Sequence, residues 1–401
     1  MGTTFGGGSS TLPGFGTVFQ LTPGGTLTTL HSFGQTGGAN PDAALLEGIS
    51  GEFYGATRSN GTSPGCGTIF RITSSGTLTT VHRFSGPDGC GPQAPLVQAP
   101  NGVLYGITDF GGASTNCGTQ GCGTIFQITP QGHLTSLYSF TSGADNGDPQ
   151  GLVQAVDGNF YGTTPLGNTN NGTIFRITPQ GSFTTLYTFA LNDPNGSHPT
   201  ALVAATDGNL YGSTWWGGGS NNCINGCGTI FRATPAGAVT KLHTFHGSDG
   251  NTPMAALLQA TDGNFYGTTS DGTAIGGTVC KLSVGPGPFV KLLPRTGSVG
   301  ASVQILGTDL TGATSVSFNG TPAAFTVTSP SVITATVPSG ATSGPIERCS
   351  AAAPSLSCRE ALAQILEDTY EQQHQTKQHL RCPISVRCGR RVARTNLHPS
   401  C

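Results

Sequence analysis

The feature that most constrains the fold of this chain is a tandem repeat of about fifty residues. Its anchor is the phrase GT[IV]F, which recurs at intervals of 49 to 56 residues. Because the same short runs surround every anchor, the architecture must be built by repeating one supersecondary unit. The anchors begin at Gly16, Gly67, Gly123, Gly172 and Gly228, with a degenerate GTVC at Gly277.

Each unit contains four short runs, here named strands a, b, c and d. In one unit these runs are residues 151–156, 159–164, 172–178 and 182–189, all with alternating or wholly apolar character. That length and pattern predict strands rather than helices. D-G and P-x-G sequences predict tight a–b and c–d turns. Four antiparallel strands per unit predict a β-propeller blade. An array of β-sandwiches is the alternative, but each sandwich needs about twice the length.

The sequence therefore predicts an all-β protein that begins with a β-propeller of six or seven four-stranded blades over residues 1–285. The first blade is incomplete, because its repeat begins at strand b. A ring that closes by lending a strand across its termini would explain this gap. Shortening at the N-terminus is the favoured explanation, because Met1 stands inside the motif, and a signal peptide would then be lost as well.

The repeat also resembles a known family. The phrases DGNFYGTTSDG, GTIFRITPQGSFTTLYTF and SDGNTP are similar to the GloVer-type tandem repeat over residues 1–285. The resemblance implies a bacterial protein that is exported. It implies no particular chemistry, because the family has no established activity.

The C-terminal part of the chain does not contain the repeat and has a different sequence pattern. Residues 286–346 contain the runs SVQILG, SVSFNG, AFTVTS and VITATVP and resemble the IPT/TIG immunoglobulin-like module. The resemblance implies an Ig-like β-sandwich that is truncated before its last strand, with an open edge. Residues 347–401 are rich in Cys and Arg and hold 8 of the 17 basic residues, with a helix expected over 360–380. A disrupted reading frame, a wrongly assigned end or a disordered tail would explain this change in composition, and a separate functional tail is the alternative.

Composition and motifs exclude several functions. Residues 1–346 hold 9 basic against 14 acidic side chains, so we expect no nucleic-acid partner. We also expect no membrane-spanning segment, since no apolar run approaches about 18 residues. No Ser–His–Asp order, HExxH helix or phosphate-cradling loop is present, so no cofactor is predicted. His31, His82 and His243 share one strand-d position with tyrosines, which indicates a packing role.

Candidate binding residues lie in the b–c loops, which vary in length and share one end of the blades with the d–a loops. Trp215 and Trp216, the only tryptophans, follow the strand-b threonine where the other units have different pairs. An exposed indole can stack on a sugar or anchor a protein partner. The alternative is a purely structural role, in which the indole fills a gap between blades. The equivalent candidates in two other units are Arg58, Asp109 and Phe110.

The cysteines of the repeats are interpreted as disulfides. Cys117 and Cys122, and likewise Cys223 and Cys227, lie inside the two longest b–c loops. Cys66 and Cys90 lie in loops at the same end of one unit. Such staples are typical of an oxidising compartment, so the chain is expected to be extracellular or at the cell surface. The spacing fits zinc poorly, and the Asp- and Asn-rich d–a loops make plain turns more readily than a calcium site, so no metal is predicted.

These observations favour a non-enzyme: an exported protein for surface binding, adhesion or envelope structure, with a glycan or a cell-surface protein as its partner. The alternative is a propeller lyase or hydrolase that acts on a polysaccharide at the loop end. Acidic and aromatic side chains that converge at this end would favour the enzyme.

Overall fold

The computed structural model describes residues 1–8, 14–22, 24–34, 37–59, 65–165, 171–190, 192–220, 222–272, 276–284, 289–293, 296–342, 344–350 and 357–366. Apart from two short 3-10 helices at Gly118–Gln120 and Leu310–Gly312, all regular elements among these residues are strands, joined by turns and loops. The all-β expectation is therefore confirmed for the described residues.

The repeat region forms six consecutive antiparallel sheets, numbered in chain order, and each unit supplies one sheet. Sheet 1 contains β1 Gly2–Thr4, β2 Thr17–Leu21 and β3 Leu27–Ser32. Sheet 2 contains β4 Leu46–Glu47, β5 Phe53–Thr57, β6 Thr68–Ile72 and β7 Leu78–Arg83. Sheet 3 contains β8 Val97–Gln98, β9 Leu104–Thr108, β10 Thr124–Ile128 and β11 Leu134–Ser139. Sheet 4 contains β12 Gly151–Gln154, β13 Phe160–Thr164, β14 Thr173–Ile177 and β15 Phe183–Thr188. Sheet 5 contains β16 Ser197–Pro199, β17 Val203–Ala204, β18 Leu210–Trp216, β19 Thr229–Ala233 and β20 Val239–Thr244. Sheet 6 contains β21 Leu258–Gln259, β22 Phe265–Thr268 and β23 Val279–Leu282.

The repeated YG and GT[IV]F phrases follow from close packing between strands b and c. In sheet 5, Gly212 pairs with Phe231, and a Cβ on Gly212 would lie 2.7 Å from the phenyl ring. The threonines of the two phrases bond to each other, as Thr214 and Thr229 do at 2.9 Å between buried hydroxyls. The glycine thus admits the ring, and each buried hydroxyl satisfies the other.

Apolar side chains between successive sheets form the core. Between sheets 2 and 3, Tyr54 and Ile69 pack in one buried cluster with Leu104 and Phe126. Equivalent residues of sheets 4 and 5 form another cluster around Tyr161. Burial of each such side chain contributes about 1.5–3 kcal/mol, so each sheet depends on its neighbours for stability.

Because strand direction alternates, each sheet has two different ends. The a–b and c–d turns lie at one, here called the turn end, and the b–c and d–a loops lie at the other, here called the loop end. At the turn end of sheet 5, Asp207 accepts hydrogen bonds from the backbone and side chain of Asn209 and from the Tyr211 hydroxyl. Asp157 and Asp262 make the same bonds in their own units.

The C-terminal region contains two further sheets that enclose one core, with Val303, Val316 and Ile333 buried at its centre. The first sheet has the order β24 Lys291–Leu293, β26 Ser302–Leu306, β30 Val332–Thr336 and β29 Phe325–Ser329. The second has the order β25 Thr296–Ser298, β32 Ser357–Leu366, β31 Gly344–Ser350, β27 Ala313–Phe318 and β28 Thr321–Pro322.

Two local expectations in this region differ from the structure. β31 continues past residue 346, where the sandwich was expected to end, and pairs with β32 over seven residues. Residues 357–366 are therefore a strand, not the first half of the helix expected over 360–380, because ladder hydrogen bonds override local helix propensity. Residues 367–401 lie outside the described part of the chain.

Candidate active site at the loop ends of the sheets

Two positions recur at the loop end of sheets 2 to 6, and they lie opposite each other. The first follows the strand-b threonine, and the second precedes a proline at the start of strand a. The backbone amide of Arg58 donates to the carbonyl of Asn40 at 3.0 Å, and Asp109 donates to Gly91 at 3.3 Å. These loop-end positions hold Arg58, Asp109, Pro165, Trp215 and Ser270 on strand b, and Asn40, Gly91, Asp148, His198 and Thr252 before the proline.

The residue before the proline has an unusual backbone conformation in every unit. Asp148, His198 and Thr252 have φ angles of 57°, 60° and 54°, in the left-handed region that a branched or bulky side chain seldom adopts. The scaffold fixes this conformation, because the following proline packs on the anchor glycine. Strained residues of this kind concentrate at functional sites. The second loop-end position is therefore a place to look for chemistry.

Asp109 is the most perturbed acid of the described residues. Only 2% of it is exposed, and its Oδ1 atom has no hydrogen-bond partner among the described residues. Burial, followed by the charge of Asp148, raises the pKa of Asp109 to about 8, while Arg58 and a hydrogen bond from Gln93 act in the opposite direction. Asp109 therefore carries its proton at neutral pH.

Asp148 is the partner of Asp109 from the next unit. Burial raises the pKa of Asp148, and the nearby guanidinium of Arg58 lowers it. Asp148 is half-buried, whereas Arg58 is exposed. Three units thus place a guanidinium and two carboxyl groups within electrostatic reach of one another.

An aromatic group occupies the loop end of sheet 5. His198 lies opposite Trp215, with parallel rings whose centroids are 6.3 Å apart, and it meets Trp216 edge-on at 4.5 Å. Neither His198 Nδ1 nor Trp215 Nε1 has a hydrogen-bond partner among the described residues. Burial lowers the pKa of His198, so this imidazole is neutral at neutral pH.

The structure contains all three disulfides in the expected pairings: Cys66–Cys90, Cys117–Cys122 and Cys223–Cys227. The first ties a b–c loop to the d–a loop that follows strand d of sheet 2. The other two close the long b–c loops of sheets 3 and 5. Each staple restrains a segment next to a loop-end position, which favours a preformed site.

The structure brings some of the predicted residues together and separates others. Arg58 and Asp109 interact electrostatically, whereas Phe110 is half-buried and pairs through its backbone with Cys90. Trp215 and Trp216 end strand β18 and are half-buried, rather than lying on an exposed loop, because strand b continues to pair with residues 197–199.

Sequence reasoning missed Asp148 and His198. The sequence did contain a signal for both residues. Each directly precedes the proline of its d–a loop, and this position holds a different residue in every unit. Two of the strand-d histidines, for which the sequence indicated a packing role, also make hydrogen bonds to aspartates of the d–a loops. The imidazoles of His82 and His243 bond to Asp88 at 2.8 Å and Asp249 at 2.9 Å. Tyrosines make the same contact elsewhere, as Tyr138 does with Asp145.

The described residues contain neither a metal-binding cluster nor a membrane-spanning helix. No group of three or more His, Cys, Asp or Glu side chains there is arranged to hold a metal ion. Among those residues, no helix has the length and apolar character needed to cross a membrane.

The repeated antiparallel sheets and their variable loop ends define a tandem-repeat protein of the all-β class. The model of the Gloeobacter/Verrucomicrobia repeat matches residues 1–119 and 114–324. The chain belongs to this repeat family, as the GloVer resemblance predicted. No curated protein matches the chain.

Several solved structures are similar to the chain at low identity. A gluconolactonase from Xanthomonas campestris is 14% identical, with a TM-score of 0.41 and coverage of 63% of this chain and 75% of that one. A luciferin-regenerating enzyme is 13% identical, with a TM-score of 0.42 and coverage of 67% and 84%. Sucrose-6-phosphate hydrolase from Lactobacillus gasseri is 13% identical, with a TM-score of 0.36 and coverage of 78% and 76%.

These matches correct one expectation. The matching structures include enzymes, which contradicts the expectation of a surface-binding, adhesion or envelope protein without catalysis. Auxiliary nutrient binding proteins match as well, so the matches do not assign catalysis to this chain. With no identity above 14% in these three, nothing about their substrates transfers to it.

Proposed function

We propose that the protein cleaves a glycan by acid–base catalysis, with Asp109 as the general acid and Asp148 as the general base. The observation that carries this proposal is the buried Asp109 carboxyl, which is protonated at neutral pH and has a second carboxyl and a guanidinium close by. Pairs of carboxyl groups whose environments differ in this way are typical of enzymes that move protons.

The two carboxyl groups have different roles in the proposed reaction. Asp109 donates its proton to the oxygen of the leaving sugar as the glycosidic bond breaks. Asp148, whose pKa the guanidinium of Arg58 lowers against the effect of burial, accepts a proton from the water molecule that attacks the sugar carbon. Solvent then returns the proton to Asp109 and removes the one on Asp148. Arg58 acts as a positioning residue, and its guanidinium lowers the pKa of both carboxyl groups.

The first test measures release of reducing ends from a panel of neutral and acidic polysaccharides. We expect Asp109→Asn and Asp148→Asn each to lower kcat by about 100-fold or more, because each removes one proton-transfer group. Asp271→Asn is the matched control, since Asp271 is an exposed acid at the loop end of sheet 6. Full activity in both test variants would refute the proposal.

A second readout needs no substrate. Carboxyl carbons observed by NMR should show Asp109 titrating near pH 8. In Asp148→Asn this pKa should fall, because a neighbouring negative charge is removed. An Asp109 pKa in the ordinary acidic range would remove the physical basis of the proposal, whatever the activity panel shows.

The architecture and location that best support this function are also proposals. We infer that the six sheets form a β-propeller, since consecutive antiparallel sheets of three to five strands share cores with their neighbours. The two C-terminal sheets support an Ig-like sandwich of the IPT/TIG type. Three disulfides support an extracellular location, where such bonds persist.

A further inference from the structure

A second concave site lies beside the aromatic group of sheet 5. It has a volume of about 740 Å³ and lies between the d–a loop around residue 196 and residues 217–220 and 222–226 of the b–c loop. This volume is in the range of small-molecule pockets. Its main side chains are Asn171, Asn192, His198, Trp216, Asn222 and Asn225.

The walls of this pocket are held in place by the fold. A Cβ on Gly217 would lie 2.8 Å from the Cα of Gly196, so the two loops touch through their backbones. The outer loop is closed by the Cys223–Cys227 disulfide, and the Asn222 amide donates to the carbonyl of His246 at 2.9 Å. The pocket therefore exists before any ligand arrives.

The groups that remain available in the pocket are uncharged. No Lys or Arg lines it. The Asp193 carboxylate is already used, because it accepts hydrogen bonds from the Tyr187 hydroxyl and the backbone of Asn195. Without a Lys or Arg, the pocket lacks the charged donors that bind a phosphate or a carboxylate most strongly.

The available groups fit one ligand class. The side-chain amides of Asn171, Asn192 and Asn225 bond to no group of the described residues, so they can both donate to and accept from a ligand. Trp216 adds a half-buried flat ring. An aromatic face with surrounding amides matches the apolar faces and hydroxyl edges of a sugar.

We propose that this pocket binds a neutral oligosaccharide, with Trp216 stacking on a sugar ring and the asparagine amides bonding to its hydroxyl groups. The inference concerns binding and is independent of the acid–base step, because neither Asp109 nor Asp148 lines the pocket. It goes beyond cleavage by assigning a separate holding site on the same chain.

The chain carries its own reporter for this proposal, because its two tryptophans both lie at this end of sheet 5. The experiment titrates the full chain with neutral cello-, xylo-, manno- and malto-oligosaccharides, and with oligogalacturonate and glucose 6-phosphate as charged probes. Tryptophan fluorescence and isothermal titration calorimetry measure binding. We expect saturable binding of at least one neutral series and none of the charged probes.

Variants separate a binding role from a structural one. Trp216→Ala should weaken binding by about tenfold or more, equivalent to about 1.4 kcal/mol, and Trp216→Tyr should retain most of it. Asn192→Ala removes an exposed amide without touching the core and should also weaken binding. Asp271→Asn, at the position equivalent to Trp216 in sheet 6, and Asp109→Asn should bind as the parent does.

Two results would overturn this inference. One is the absence of binding by every neutral series, and the other is binding that Trp216→Ala and Asn192→Ala both leave unchanged. Preference for a charged probe would show that the ligand class is wrong. Loss of turnover in Asp109→Asn with binding retained would uphold both proposals, whereas binding without any turnover in the parent would refute only the catalytic one.

Discussion

The two ends of the repeated sheets differ in how far their side chains vary from one unit to the next. At the turn end, Asp157, Asp207 and Asp262 make one hydrogen-bond pattern in three successive units, with tyrosine hydroxyls 2.7 to 2.9 Å away. At the loop end, the equivalent positions hold an arginine, an aspartate, a proline, a tryptophan and a serine. The backbone bond between the two loop-end positions recurs at Arg58, Asp109 and Ser270, while the side chains there differ.

This difference teaches how one fold separates stability from chemistry. At the turn end, the aspartate of sheets 4, 5 and 6 accepts hydrogen bonds from the asparagine and the tyrosine of its own unit, so the same pattern repeats from unit to unit. The loop end leaves buried polar atoms unpartnered among the described residues, as at Asp109, His198 and Trp215. Unsatisfied buried groups cost stability and are retained where function needs them. Four predictions test this separation.

The largest effect should come from the core between the two ends. Phe231 is fully buried between sheets 4 and 5. Phe231→Ala should lower the free energy of unfolding by about 3–5 kcal/mol, because it removes buried apolar area and leaves a cavity. Urea denaturation measures this, with Phe5→Ala, at a half-exposed position, as the control. A loss below about 1 kcal/mol would mean that the sheets do not depend on their shared cores.

The next effect concerns Asp109 and depends on pH. Its folded-state pKa is raised to about 8 from an ordinary 3.8, so the folded state holds a proton that the unfolded state has released. Stability should therefore fall as pH rises from about 4 to about 8, by on the order of a few kcal/mol. Asp109→Asn should flatten this slope without loss of stability at pH 8. Denaturation across this range checks it, and an unchanged slope in the variant would contradict it.

The sequence predicted the strands of the scaffold more completely than the residues of the candidate site. The strands of sheet 4 lie within the four predicted runs, because alternation and D-G turns are local signals. Four strands were expected in every unit, but after β23 the next strand is β24 of the C-terminal region, since Val290 and Leu292 are buried in that core. Periodicity cannot show which of two sheets a short apolar strand joins.

The site was partly predictable for a physical reason. Departures from the repeat identified Arg58, Asp109 and the tryptophans, because a residue that the scaffold does not require stands out against those it does. Asp148 escaped, because a d–a loop rich in Asp and Asn resembles an ordinary turn. The proposed role of Asp148 depends on its proximity to Asp109 in the preceding unit. Only the folded structure shows that residues of two different units lie close together.

At the turn end, loss of one aspartate should have a moderate effect. Burial alone would raise the pKa of Asp207, but hydrogen bonds from Asn209 and Tyr211 together hold it below its usual value. Asp207→Ala should cost about 1–3 kcal/mol at neutral pH. The cost should shrink as pH falls below about 4, where the parent carboxylate is protonated and loses this contribution. Denaturation at neutral and acid pH measures both, and an equal cost at both would contradict the ionic origin.

The smallest effect should be a gain. In sheet 3 the aspartate position holds Asn101, whose Oδ1 accepts from the amide of Val103 as Asp207 does from Asn209. The Tyr105 hydroxyl bonds to no group of the described residues, and burial raises the pKa of this tyrosine. Asn101→Asp keeps the turn and supplies an acceptor for that hydroxyl, so it should add about 0.5–1.5 kcal/mol. Asn101→Asp in a Tyr105→Phe background is the control, since the gain should vanish without the hydroxyl. A gain that survives in that background would place its origin in the turn and not in the Asp–Tyr bond.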